Sequence, residues 1–442
     1  MSLERITVSA NRRFLVTESG QPFFWLGDTA WELFHRLGLA EAEHYLEVRR
    51  QQGFNVIQAA ILAELDGLHT PNDNGRLPLC GDDPTRPNEL YFRDVDAVIH
   101  LAAEKGLYIG LLPTWGDKVN GELWGVGPVI FTPQNARIYG EFLGRRYRDT
   151  PNILWILGGD RPATGYEAVW AALAAGITAG LGYQPLFTFH PRGGASSADW
   201  LHQADWLGMN MLQSGHVLLD APNWEMIRAD LERQPLKPCL DAEPNYEDHP
   251  IDPFLRAWKP ELGRFSDYDV RKQAYRAVLA GACGHTYGHH SIWQFWDSRR
   301  APINFAMPTW QEALFRPGAA QMIHLKNLIL SRPYLTRIPA PEMLPGLPEI
   351  PLPNNARHYE PIRAAHPLAA RDSGGMYGLV YFPLAEQSLR VDLRPLTGRV
   401  KAQWFDPRNG RFHFQGEHPN EIITFTSPIA GPDWVLVLDV LP

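Results

Sequence analysis

Eight short apolar runs, each followed by a segment of helical pattern, occupy the chain from about residue 20 to about residue 335. That alternation restricts it to a parallel sheet built from βα units. The runs are Phe23–Leu26, Val56–Ala60, Tyr108–Leu112, Ile153–Leu157, Leu186–Phe189, Leu207–Met211, Cys239–Leu240 with its flanks, and His285–Tyr287 with its flanks. Gly53, Gly106, Thr150-Pro151 and Lys237-Pro238 supply turn or stop signals just ahead of several of them. Between the runs, Asp94 is expected to cap a helix ending at Gly106, with Val95, Val98, Ile99, Ala102 and Ala103 as its apolar stripe. Thr132-Pro133 reads as a cap followed by proline at the first helical position. Eight units in roughly 315 residues fit a (β/α)8 TIM barrel with inserted loops, and residues 64–92, rich in Gly, Pro, Asn and Asp, read as one such insertion.

After Leu335 the pattern changes. Pro339, Pro341, Pro345, Pro348, Pro351 and Pro353 stiffen residues 339–354 into a linker or docking strap, since neither a helix nor a central strand tolerates that spacing. Beyond it, Met376–Phe382, Leu389–Leu393, Val400–Trp404, Ile422–Phe425 and Trp434–Leu438 alternate and are separated by turns such as Asp406-Pro407-Arg408-Asn409-Gly410. The expected organisation is a barrel over residues 1–338, a linker over 339–354, and a small antiparallel β-sandwich over 355–442.

Composition removes several function classes. With 41 Lys+Arg against 49 Asp+Glu the formal charge is −8 and the basic residues are scattered, so no phosphate-neutralising patch for nucleic acid is formed. No apolar run approaches the roughly 20 residues that cross a bilayer, and Met1–Ala10 has no signal-peptide core; the expectation is a cytosolic chain, or an exported one if a leader has been removed. Cys80, Cys239 and Cys283 are too few and too far apart for a disulfide framework or paired metal ligands. The 15 Trp stand out, many of them beside polar residues, as in sites where a ring covers the C–H face of a sugar and neighbours bind its hydroxyls; core tryptophan is the plainer alternative.

In such a barrel the reacting groups sit just past the C-terminal ends of strands. There the sequence offers Gly158-Gly159-Asp160-Arg161 after the fourth run and Asp241-Ala242-Glu243-Pro244 after the seventh. Two carboxyls at facing strand ends are the minimal apparatus for cleaving a glycosidic bond, one protonating the leaving oxygen while the other attacks the anomeric carbon or activates water. The alternatives are a rim ion pair between Asp160 and Arg161, and a cap or solvated acid at Glu243. Further strand-end candidates for binding hydroxyls or sugar faces are Asp28, Trp31, Gln58, Trp115, Asp117, His190, Asn210, Gln213, Tyr246, His285, Tyr287, Trp293 and Trp296. His285, His289 and His290 raise zinc, but the flanking Gly284 and Gly288 favour loop over helix and no Glu follows His285. No metal is expected, and with no phosphate-binding glycine loop no nucleotide cofactor either.

The blocks Trp25-Leu26-Gly27-Asp28-Thr29-Ala30-Trp31, Trp155 to Arg161, Asp241 to Pro244 with Tyr246-Glu247, and Gly284 to Gly288 with Trp293-Gln294 resemble the apiosidase-like glycoside hydrolases, family 140. The tail blocks Leu379 to Pro383, Trp404 to Gly410 and Asp433 to Leu436 are similar to the β-sandwich that follows the barrel there, a module carrying a collagen-binding label in some classifications. The resemblance implies retaining removal of apiose, a branched five-carbon furanose, from plant glycosides or pectin side chains, with Asp160 as acid/base and Glu243 as nucleophile. Another furanosidase, for example toward arabinofuranosides, and a carbohydrate-binding protein without turnover are the competing readings.

Overall fold

The computed structural model describes residues 3–122, 124–251, 258–347 and 361–442. Residues 348–354 of the proline-rich segment lie outside the described residues.

Each of the eight runs forms a strand: β1 Trp25–Thr29, β2 Val56–Leu62, β3 Tyr108–Thr114, β4 Ile153–Gly158, β5 Phe187–His190, β6 Asn210–Gln213, β7 Cys239–Asp241 and β8 Gly284–Tyr287. Parallel ladders join β8, β1, β2, β3, β4 and β5 in that order, and another joins β6 to β7. Closure comes at the two remaining seams. Phe187 bridges Leu207 between β5 and the approach to β6, and the Cys283 amide donates to the Cys239 carbonyl at 2.9 Å between β7 and the approach to β8. The strands are buried on both faces, one by helices and one by the barrel interior, which is why they read as continuous apolar runs rather than as alternation. A short antiparallel sheet, Ile6–Val8, Leu15–Thr17 and Pro22–Phe23, closes the N-terminal end, with Phe23 set edge-on to Tyr108 at 5.2 Å.

The outer helices include α1 Leu39–Gln51, α2 Glu89–Glu104, α3 Pro133–Arg146, α4 Glu167–Leu181, α5 Asn223–Glu232, α6 Asp267–Leu279 and α7 Pro317–Leu330. Thr132 caps α3 by accepting from the Asn135 amide, with Pro133 in the first turn, as its sequence indicates. The cap of α2 is Asn88 rather than Asp94, so the helix begins a turn and a half earlier than expected. Asp94 is instead bound by Arg76 and Asn72, and so ties the 64–92 insertion to the barrel wall.

The tail forms β9 Arg337–Pro339, β10 Leu368–Asp372, β11 Tyr377–Phe382, β12 Ser388–Asp392, β13 Val400–Asp406, β14 Arg411–His418, β15 Ile422–Thr426 and β16 Trp434–Val440. All pair antiparallel, in the order β9-β10-β11-β16-β13-β14 for one sheet and β12-β15 for the other. The central strands of the larger sheet, β11 and β16, are buried on both sides, while its edge strand β14 is exposed. Val380, Phe382, Leu436 and Leu438 face β12 and β15 across the sandwich core, whereas their neighbours Leu379, Tyr381, Val435 and Val437 join the barrel's own core. The described part of the strap follows the same sandwich, with Ala340 bonded to Ala369 and Met343 fully buried.

Candidate active site

The loop after β4 is bent by three consecutive residues with positive φ: Gly158 at 90°, Gly159 at 114° and Asp160 at 52°. A Cβ on Gly158 would lie 2.3 Å from the His190 carbonyl, and one on Gly159 would lie 2.8 Å from the Trp115 ring, so only glycine allows the turn to pass this close to β3 and β5. The turn delivers Asp160 to a hollow at the C-terminal mouth of the barrel, a space of about 200 Å3 lined by Trp31, Glu64, Trp115, Trp124, Asp160, His216, Glu243, Tyr246, His249, Trp293, Asn304 and His290, the last considered from the sequence only as a zinc ligand. Glu243 enters from the opposite wall, two residues past the end of β7. The Ala242 carbonyl beneath it accepts from the Gln58 amide at 3.1 Å across the barrel interior.

One oxygen of Asp160, one of Glu243 and a ring nitrogen of His190 all lie within 4.8 Å of one another. His190 Nε2 meets Glu243 at 2.9 Å, and His216 Nδ1 reaches its other oxygen at 3.5 Å. Burial alone would raise the Glu243 carboxyl. The contacts with His190, the charge of His216 and the Tyr246 hydroxyl outweigh it and hold Glu243 below the ordinary glutamate range, so it is ionised. Asp160 goes the other way. Part of its surface faces the hollow, but the protein packed around the rest desolvates it, and that burial followed by the neighbouring Glu243 charge lifts it to about 7, against the smaller opposing effects of His190 and Gln213. A proton donor and an anion are thus held face to face near neutral pH, which is the division of labour that acid and nucleophile require.

Aromatic rings frame the pair. Trp31 stands edge-on to the His190 ring at 5.1 Å and against Trp115 at 5.0 Å, while Trp124 and Trp293 meet at 6.5 Å across the mouth. His216 stacks on Tyr246 at 4.5 Å. Arg161 binds neither carboxylate. Its guanidinium donates to the Asn120 carbonyl at 2.7 Å, to the Trp124 carbonyl and to the Asp160 carbonyl, so it pins the loop that carries Trp124.

Of the strand-end residues expected in the site, the structure brings Trp31, Trp115, Asp160, Glu243, Tyr246 and Trp293 to the hollow, with His190 and Gln213 directly behind the carboxyls. Others are turned away by the two-residue period of a strand. Asp28 points to the helical layer, where Arg49 donates to it at 2.6 Å and Tyr45 at 2.5 Å; Tyr287 likewise donates to Glu247. Asn210 pairs with His202, and Trp296 donates to the Arg300 carbonyl. Asp117 accepts from Lys118 and from the amides of Val126 and Gly127, folding the loop over the mouth rather than lining it. His285, two residues from Tyr287 and so on the same outward face of β8, is fully buried away from the mouth. Sequence reasoning missed Glu64, Trp124, His216, His249 and Asn304. The usable signal was that an acid two residues past a strand, and a Gly-His pair after β6, occupy the same strand-end positions that flagged Asp160.

A family model for the apiosidase-like catalytic domain matches residues 9–336. The chain belongs to the apiosidase-like family. A second model, "Putative collagen-binding domain of a collagenase", matches residues 356–439 of this apiosidase-like chain. Among solved structures it is similar to one described as a glycoside hydrolase, at 34% identity over 99% of this chain and 97% of the other with a TM-score of 0.86. It is also similar to a structure described as a glycoside hydrolase family 5 protein from Bacteroides vulgatus ATCC 8482, at 33% identity over 99% and 93% with a TM-score of 0.86. No curated protein gives a match. The family and these neighbours make the apiosidase-like chain a glycosidase acting on a carbohydrate.

Proposed function

We propose that the chain is a retaining β-apiosidase that removes terminal apiose from plant glycosides or pectin side chains. The observation that carries this reading is the pairing of Asp160 and Glu243, oxygens within 4.8 Å of each other, across a hollow of about 200 Å3. Carboxyl groups about 5–5.5 Å apart leave no room for a water between the second carboxylate and the anomeric carbon and so favour a covalent intermediate; about 6.5–9.5 Å would suit inversion. Glu243 attacks the anomeric carbon as Asp160 passes its proton to the leaving oxygen. Asp160, now a carboxylate, then takes a proton from the water that releases the sugar from Glu243. A hollow of that volume, about seven waters' worth at ~30 Å3 each, admits one terminal sugar and not the middle of a chain.

Hydrolysis of an apiosyl aryl glycoside by wild type, Asp160→Ala and Glu243→Ala, with azide added to the variants, tests the roles. The expected products are an apiosyl azide of retained configuration from Asp160→Ala and of inverted configuration from Glu243→Ala. The same configuration from both would refute the assignment. Turnover of an arabinofuranoside with none of the apioside would replace the sugar. Because the Asp160, His190 and Glu243 atoms are spaced as a cation could use them, the assay is run with and without chelator, and full activity after chelation is expected.

A further inference from the structure

The hollow holds a third carboxyl that the double displacement does not use. Glu64, two residues past the end of β2, is 2% exposed and lines the same wall as Trp31 and Trp124. Other buried acids of this protein are matched by cations or by several donors: Asp28 by Arg49, Asp433 by Arg271, Asp220 by Lys272 and Arg276. Among the described residues no Lys or Arg nitrogen lies within 4.0 Å of Glu64, and its one side-chain partner is the Trp124 indole N–H, which donates to Oε2. Glu32, which faces it, is itself engaged by His35 at 2.6 Å and by Arg36.

We propose that Glu64 is a specificity-determining residue: with its carbonyl oxygen occupied by Trp124, its O–H donates a hydrogen bond to one hydroxyl of the sugar held between Asp160 and Glu243. This inference rests on the hydrolase reading above. The chemistry is that of a neutral acid. Burial first, then the charges of Glu32, Asp160 and Glu243, against the Trp124 hydrogen bond, hold the Glu64 carboxyl protonated at neutral pH. An ionised carboxylate could only accept. A neutral carboxyl whose carbonyl oxygen receives the indole N–H still carries one proton, which finds its acceptor in the hollow. Trp124 closes the mouth against Trp293, so the same contact couples ring position to hydroxyl recognition.

The test is a cycle between protein and substrate: kcat/KM of wild type, Glu64→Gln and Glu64→Leu on a 4-nitrophenyl glycoside of the hydrolysed sugar and on its monodeoxy analogues, with melting midpoints measured alongside. Glu64→Leu is expected to lose about 100-fold on the parent glycoside yet match wild type on one analogue, the one lacking the contacted hydroxyl. Glu64→Gln, whose NH2 still donates, is expected to stay within about 5-fold on the parent. If Glu64→Leu does not fold, Glu64→Asp, which withdraws the acid by one methylene, is expected to show the same analogue-selective loss. An equal loss on every analogue, or a Glu64→Gln loss as large as that of Glu64→Leu, would overturn the hydroxyl contact while leaving the hydrolase intact. If wild type hydrolyses no glycoside at all, the hydrolase reading falls and this inference with it.

Discussion

The two carboxyls of the hollow, Asp160 and Glu243, differ because their neighbours differ. Glu243 sits between two imidazoles and a phenol, whereas Asp160 has an amide and a second anion. The proposed double displacement needs Glu243 ionised and Asp160 protonated, so activity should fall on the acid side as Glu243 takes up a proton, below the ordinary glutamate range. On the alkaline side it should fall as Asp160 loses its proton near pH 7. Asp160→Asn is expected to lower kcat/KM for a poor leaving group about 10²–10⁴-fold and to abolish the alkaline limb, while a dinitrophenyl leaving group, which needs no acid, is affected far less. A pH–rate series on the two substrates checks this, and an alkaline limb that persists in Asp160→Asn would assign it to another group. Asp160 and Glu243 were legible in the sequence because each follows a strand end within a short block. Asp28, Asn210 and Tyr287 are also strand-end residues, but strand register turns them outward, and one-residue register is the detail that apolar runs do not encode. Glu64 escaped because β2 runs to Leu62, two residues beyond the apolar run that announced it, so the acid seemed to belong to the insertion.

Elements carry the site through two close approaches that need glycine. One is the bend at Gly158-Gly159. The other is behind it, where α3 and α4 cross with their backbones in contact: a Cβ on Gly140 would lie 2.4 Å from the Leu173 carbonyl, on Gly144 2.2 Å from that of Ile177, and on Gly176 2.2 Å from that of Arg137. Since the atoms met are backbone carbonyls, no rotamer change relieves the clash, and the helices must part. Gly176→Leu is expected to destabilise the protein by several kcal/mol, on the order of 3. Chemical denaturation would show it as a lower midpoint; a midpoint equal to wild type would mean the helices are not held at backbone contact. Helix positions were readable from stripes and caps, but the start of α2 was not. Two polar residues, Asn88 and Asp94, both suit a cap, and it is the tertiary partner Arg76 that removes Asp94 from contention.

At the scale of the whole molecule, barrel and sandwich share a core. Tyr275 of α6 stacks on Tyr381 of β11 at 5.3 Å, and Arg271, fully buried, binds Asp433 through two nitrogens while Tyr381 donates to the same carboxylate. Removing Asp433 leaves the buried Arg271 only its contacts with Gln321 and the part-exposed Asp267, at a cost of up to about 3–5 kcal/mol, whereas replacing both by apolar groups restores much of it. Asp433→Ala should therefore melt well below Arg271→Met/Asp433→Leu; equal loss in the two would show that the pair is not desolvated. Truncation after residue 338 should expose Tyr275 and its neighbours and give insoluble protein. The sequence announced both folds, since period-2 alternation replaces helical patterns past the prolines, but not their fusion, because an edge of the sandwich sheet, β9, is taken from the chain ahead of the prolines.

All of this converges on two carboxyls acting in sequence on one sugar. Proton NMR of the reaction in progress, recording which anomer of the sugar wild-type enzyme releases first from an aryl glycoside, tests that most directly. The account predicts the anomer of the substrate's own configuration, appearing before mutarotation. Release of the opposite anomer would contradict it.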